Sequence, residues 1–104
     1  MDLKTLEEAM HAFVSSKGWY EADSKRPQTP RNLAISLVLE ASEVLELYQW
    51  SDAAPDREEL SGELADVMLY LIQLSSLSGI DLGDAVMAKL KINYGRTWDE
   101  ESAE

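Results

Sequence analysis

Apolar residues recur at three- and four-residue intervals along most of this chain, and the rhythm breaks near Gly18, Pro30, Pro55, Gly79 and Gly95. That period is the signature of amphipathic helices, and no useful run of alternating positions argues for a strand. The first helix is predicted over about 2–17, with Asp2 as N-cap and Gly18 as its stop. Leu3, Leu6, Met10, Phe13 and Val14 form its apolar stripe. The second helix starts after Pro30, a normal residue for a first turn, and is expected to run to about Trp50. Asp56 looks like the N-cap of a third helix ending near Gly79. Glu58 and Glu59 sit in its first turn, where negative charge suits the helix dipole. Asp81 caps a fourth helix over about 82–94, with Leu82, Val86, Leu90 and Tyr94 turned inward. The fold class is all-α: a four-helix bundle built around an antiparallel helix hairpin, in one domain spanning 1–104.

The second and third helices carry unusual polar positions. Glu40 and Glu43 lie on the second, Glu63 and Asp66 on the third, and each pair has i, i+3 spacing that puts both acids on one helix face. Leu37, Ala41 and Val44 surround the first pair; Leu60, Leu64 and Val67 surround the second. Both helices read as apolar nearly all round and are expected to be largely buried. No Lys, Arg or His occurs over 32–51 or over 58–79. The short link at 52–56 folds the two helices into an antiparallel hairpin. Glu43 with Glu63 and Glu40 with Asp66 have equal index sums, so each pair is expected to face across the hairpin. All four acids should reach one level, about ten residues or ~15 Å from the turn. Buried carboxylates need a compensating charge. Oxygen ligands without a basic partner describe a hard-cation site, with Mg²⁺ or Mn²⁺ the first candidates.

Composition narrows the function classes. The 104 residues carry a formal net charge of −11 and no cysteine. So acidic a surface repels a nucleic-acid backbone, and thiolate metal sites and disulfides are excluded. No apolar stretch approaches membrane-spanning length and the N-terminus has no apolar signal core, so no membrane partner is expected and the cytoplasm is the expected compartment. The acidic end, 99–104, is expected to be a solvated tail. His11, the one histidine, falls off the apolar stripe and reads as a surface residue. With no histidine near the acids, the Glu-x-x-His pairs of di-iron bundles are missing. Residues 18–31 make a long loop holding Trp19, Tyr20, Lys25, Arg26 and Arg31, and long loops in small domains are often functional. Two helices apolar most of the way round exceed what one short chain easily covers, so self-association is expected, the alternative being full cover by the other two helices.

Glu40-x-x-Glu43 followed by Glu63-x-x-Asp66 resembles the E-x-x-E…E-x-x-D signature of the MazG-like all-α nucleoside triphosphate pyrophosphohydrolases. Pro30-Arg31-Asn32-Leu33, Tyr48-Gln49-Trp50 and the run from Ala65 to Leu71 resemble the dCTP-pyrophosphatase branch. So does the ending Gly79-Ile80-Asp81-Leu82 with Lys89, Asn93 and Arg96. The resemblance covers about 30–98. It implies a MazG-like bundle that hydrolyses a nucleoside triphosphate to the monophosphate and pyrophosphate. It implies that Glu40, Glu43, Glu63 and Asp66 hold Mg²⁺, with one of them or Glu46 as general base. Lys89, Asn93 and Arg96 match positions that contact the triphosphate. Trp50 matches an aromatic beside the base pocket, and Trp19 a second. Arg31 and Tyr70, within the matching words, complete the candidate substrate residues. The resemblance also implies a homodimer or homotetramer with sites near subunit contacts. The expected function is Mg²⁺-dependent (deoxy)nucleoside triphosphate hydrolysis, as in house-cleaning of the dNTP pool. The alternative is a non-catalytic helical interaction or regulatory module whose acids serve as a metal-stabilised core.

Overall fold

The computed structural model describes residues 1–97, which form four helices and no strand. They are α1 (Leu3–Ser16), α2 (Pro30–Glu46), α3 (Arg57–Leu77) and α4 (Leu82–Tyr94). Side-chain oxygens cap all four N-termini. Asp2 accepts from Thr5 N–H at 2.8 Å, Thr29 from Asn32 at 3.2 Å, Asp56 from Glu59 at 3.0 Å and Asp81 from Asp84 at 2.9 Å. Each satisfies an amide that the helix itself leaves unpaired. Gly18 and Gly79 adopt φ of 73° and 70°, the left-handed region in which a side chain is strained. Beyond them Trp19 N–H reaches Val14 O and Ile80 N–H reaches Ser75 O, closing α1 and α3 tightly. The sequence reading extends α2 to Trp50, but the α-helix ends at Glu46. Leu47, Tyr48 and Gln49 donate to carbonyls three residues back, so the chain tightens into a narrower turn there.

The α2–α3 hairpin is the frame, with α1 against α3 and α4 against the far end of α3. Met10 and Val14 of α1 and Ile72 of α3 form the buried core, with Leu3, Leu6, Trp19, Met68 and Leu82 packed on it. Leu33, 2 % exposed, is buried separately at the start of α2. His11 is half-buried rather than on the open surface. Its Nδ1 lies 2.6 Å from the Tyr20 hydroxyl and its Nε2 2.7 Å from Ser76 Oγ, tying α1 and the following loop to α3.

Two expectations about burial are corrected. Leu33 is the sole buried residue of α2, and Ile72, Gln73 and Ser75 are those of α3. Val38, Leu39, Leu45 and Leu64 are exposed, Leu45 to 70 %. On α4 Leu82 joins the core, but Val86, Leu90 and Tyr94 face outward. The physical reason lies in the layout. The hairpin is covered by α1 on one side, and α4 touches only its end, so among the described residues nothing lies over the remaining faces. The Cα radius of gyration is 17.0 Å, against about 13 Å for a compact domain of this length. No helix among the described residues is long and apolar enough to cross a membrane. The expectation of a solvated tail at 99–104 lies outside the described residues.

The small core makes each member count. Met10→Ala should cost about 2–5 kcal/mol, the usual range for emptying a packed methionine site. Urea unfolding followed by circular dichroism measures it. A loss under ~1 kcal/mol would show that α1 is not anchored on α3 through this residue.

Candidate active site

Glu40 and Glu43 of α2 meet Glu63 of α3 across the hairpin, with Glu63 in contact with Glu43 as the register of the two helices led one to expect. Oxygens of Glu40, Glu43 and Glu63 all lie within 4.8 Å of one another. Asp66 stands outside this tight group. Its side chain is a methylene shorter, yet its charge still acts on Glu40 and Glu63. Glu40 Oε2 and Glu63 Oε2 are buried and have no hydrogen-bond partner. Burial, a hydrogen bond with Glu43 and the charges of Glu43, Asp66 and Glu63 push the Glu40 carboxyl up to about 7. The Glu63 carboxyl is raised too, by its hydrogen bond with Glu43, by burial, and by the charges of Glu43, Asp66 and Glu46. The close contact between a basic ring and a carboxylate among the described residues, His11 Nε2 with Glu7 at 3.9 Å, is on α1 and does not reach these acids. Orphaned buried oxygens in a cluster of carboxylates fit a divalent cation, which would satisfy both the lone pairs and the charge.

A cavity of about 590 Å³ opens beside the acids. Asp66, Leu69, Tyr70 and Gln73 of α3 form one wall, and Asn32, Leu33 and Ser36 of α2 another. Met10 and Phe13 of α1 and Trp19 and Gln28 of the loop close it. Asp66 belongs to both features: it bounds the cavity and its charge reaches the acid group. Trp19 is held in place, edge-to-face on Phe13 at 5.7 Å and under the Arg26 guanidinium at 5.7 Å. The volume and mixed lining suit a small organic ligand with a charged end at Asp66.

Residues 28–94 match the MazG nucleotide pyrophosphohydrolase domain. The chain belongs to this family. It is 38 % identical to dCTP pyrophosphatase 1 of Rattus norvegicus over 88 % of its own length and 58 % of the relative's. The Homo sapiens dCTP pyrophosphatase 1 is 36 % identical over the same shares. The chain thus spans less than two thirds of the length of these relatives. A 45-residue stretch is 42 % identical to the dATP/dGTP diphosphohydrolase of Cyanophage S-2L, covering 43 % of each protein. The crystal structure of a pyrophosphatase from Archaeoglobus fulgidus superposes with a TM-score of 0.74 at 31 % identity, covering 86 % of both chains.

The candidate residues fall into three groups. Glu40, Glu43 and Glu63 meet, with Asp66 beside them. Tyr70 lines the cavity together with Trp19, which precedes the matched region. The others lie elsewhere in a single chain. Arg31 is exposed at the start of α2, Glu46 is exposed at its end, and Trp50 is 89 % exposed in the following turn. Lys89 is exposed on α4 and Arg96 just beyond it. Asn93 is half-buried, and its Oδ1 is a third buried oxygen without a partner. None of these lines the cavity. Sequence reasoning missed Gln28 and Gln73, whose amides meet at 2.8 Å in the cavity wall. A signal existed for Gln73: it is the lone amide in the apolar run from Val67 to Leu74.

The raised Glu40 and Glu63 carboxyls set a pH dependence. Between the ordinary range of an unfolded glutamate, near 4.5, and about 7, the folded chain holds a proton that the unfolded chain has released. Metal-free stability should therefore fall as pH rises through that window. Asp2, held below the ordinary range by hydrogen bonds with Thr5, titrates below it. Because a divalent ion binds the deprotonated acids, its stabilising effect should grow across the same window. Thermal midpoints from pH 5 to 8, with and without Mg²⁺, measure this, and Glu40→Gln should flatten the metal-free slope. A midpoint insensitive to Mg²⁺ at pH 8 would remove the cation site.

Proposed function

We propose that this chain hydrolyses (deoxy)nucleoside triphosphates to nucleoside monophosphate and pyrophosphate in a Mg²⁺-dependent reaction, and that it acts in the cytoplasm to clear the dNTP pool. The observation that carries the reading is the shared wall. Asp66 joins a cluster of unpaired carboxylate oxygens to a cavity large enough for a nucleoside. The names of the dCTP pyrophosphatases and of the dATP/dGTP diphosphohydrolase that this chain resembles support the substrate class.

Glu40, Glu43, Glu63 and Asp66 would hold the ion. Bound Mg²⁺ polarises phosphate oxygens and lowers the pKa of a coordinated water. The chain's own residues then position the reactants. Water adds across the bond between the α- and β-phosphates, and a carboxylate accepts its proton; one of the four acids or Glu46, one turn on, fills that role. Glu46 lies close enough for its charge to raise Glu63. Trp19 and Tyr70 offer aromatic surface to the base. Lys89, Asn93 and Arg96 supply donors for phosphate oxygens, with Arg31 and Trp50 as further substrate contacts. As Trp50 and the α4 residues stand away from the cavity of one chain, the complete site needs a second copy. We propose a homodimer or homotetramer in which the exposed apolar faces of α2, α3 and α4 pack together. The same exposed faces are what a non-catalytic interaction module would present, so catalysis itself is the discriminating test.

Pyrophosphate release from a dNTP panel, with and without Mg²⁺, tests the reading. Glu43→Gln and Asp66→Asn should each lower kcat by at least ~100-fold while the chain stays folded, as expected for loss of a charged metal ligand. Undiminished turnover in either would reject the acids as the metal site. No turnover of any dNTP by the wild type would favour the interaction module.

Lys89→Ala and Arg96→Ala should raise KM or lower kcat with little change in thermal midpoint if they grip phosphates. If Lys89 merely complements the helix dipole, its removal should cost under ~1 kcal/mol of stability and leave the kinetics alone.

A further inference from the structure

Two amides in the cavity wall have their orientation set by the backbone. Gln28 donates from Nε2 to the Arg26 carbonyl at 2.6 Å. A backbone carbonyl only accepts, so this contact fixes which way the Gln28 amide points. Its Oε1 is thereby turned to Gln73 and accepts from Gln73 Nε2 at 2.8 Å. The same Nε2 donates to the Tyr20 hydroxyl at 3.3 Å. Both amide hydrogens of Gln73 are thus used. The Tyr20 hydroxyl is itself held by His11 Nδ1 at 2.6 Å, and His11 Nε2 by Ser76 Oγ at 2.7 Å. The Tyr20 oxygen that accepts from Gln73 is thereby held in place by the His11 ring. The relay from α1 through the loop leaves the amide no freedom to turn over.

What remains of Gln73 is Oε1, an acceptor with no partner among the described contacts. The residue is 3 % exposed and lines the cavity, and its Oε1 is not among the fully buried unpartnered oxygens. Asn32 repeats the arrangement. Its Nδ2 donates to the Pro27 carbonyl at 2.9 Å, which leaves Oδ1 as a second acceptor on a cavity-lining residue. The polar part of this wall therefore asks for donors. Gln73 lies seven residues past Asp66 on the same face of α3, about 10 Å along the axis. That is of the order of a nucleoside's length from its phosphate to the far edge of its base. Trp19 and Tyr70 between them can stack on any base, so discrimination falls to the amide end.

We propose that Gln73 is the specificity-determining residue of this pocket, its Oε1 accepting a hydrogen bond from the exocyclic amino group of a cytosine or adenine base whose triphosphate lies at the acid group. The inference rests on the reading of the chain as a nucleotide pyrophosphohydrolase. An exocyclic oxygen at that place, as in thymine, uracil or guanine, sets lone pair against lone pair and leaves a buried acceptor unpaired. Gln28, Tyr20 and His11 are positioning residues that hold the amide in the selecting orientation.

The test compares kcat/KM for dCTP, dATP, dTTP, dUTP and dGTP in Mg²⁺ for the wild type, Gln73→Met and Gln28→Leu. The wild type should favour dCTP or dATP over dTTP by at least ~10-fold, and Gln73→Met should bring the two within about threefold. Gln28→Leu frees the amide to rotate, so it should gain dTTP turnover more than it loses dCTP turnover. A wild-type preference for dTTP, dUTP or dGTP overturns the proposal, as does a folded Gln73→Met variant that keeps the wild-type ratio. If Gln73→Met does not fold, the ratio in Gln28→Leu decides in the same way. Binding of dCMP, dAMP and dTMP, followed by tryptophan fluorescence without metal, separates this from the hydrolytic reading. Selective dCMP or dAMP binding that either variant loses supports the pocket assignment even where no triphosphate is cleaved. Equal binding of all three overturns the assignment even where hydrolysis proceeds.

Discussion

Carboxylates of Glu40, Glu43 and Glu63, packed within 4.8 Å across the hairpin, repel one another and lack hydrogen-bond partners for two of their buried oxygens. Every other feature of the site follows from that arrangement. Like charges at this distance cannot all be ionised without a counter-charge, so the cluster holds protons to higher pH than isolated glutamates do. The chain places no base on the helix stretches that carry them. A hard divalent cation is the economical solution, because one ion satisfies several oxygens at once and presents positive charge to an anionic substrate. With a net charge of −11 the chain as a whole would oppose an anionic substrate, and a bound cation would offset that locally.

The scaffold has to hold this strained cluster while burying very little. Its core is a short seam between α1 and α3, made by Met10, Val14 and Ile72. Four side-chain N-caps and two left-handed glycines define where the helices begin and end. Such local devices carry more of the specification than usual where the core is thin. The exposed apolar faces of α2, α3 and α4 then have a physical meaning: they are surface that water disfavours and that a second copy would cover. Under the proposed assembly, α4 residues and Trp50 would come from their outlying places toward a shared site.

The cavity divides its labour between chemically different ends. Asp66 marks the charged end, and Gln73, two turns along α3, marks a neutral polar end. Between them lie aromatic and aliphatic walls. The amide relay through Gln28, Tyr20 and His11 uses a loop carbonyl as its fixed reference, so the donor and acceptor pattern follows from backbone position. The network therefore links the first helix, which lies outside the matched MazG region, to the Gln73 end of the pocket.

Much of this was legible along the chain. Period, caps and breakers determine the four helices, because helix formation is local and its stop signals are single residues such as Gly18 and Gly79. The i, i+3 acid pairs and the short link between the helices indicate that α2 and α3 bring carboxylates together across a hairpin. Glu40, Glu43 and Glu63 do meet, while Asp66, expected opposite Glu40, stands outside the tight group. Tertiary structure alone decided the rest. Whether an apolar face is covered depends on what packs over it, so the exposure of Val38, Leu45 and Leu90 could not be read from their hydrophobicity. That Asp66 stands outside the tight group is a matter of side-chain reach and placement in three dimensions, which i, i+3 spacing does not encode. Gln73, Gln28, Tyr20 and His11 are far apart in sequence, and their hydrogen bonds exist because α1, a loop and α3 converge on one wall.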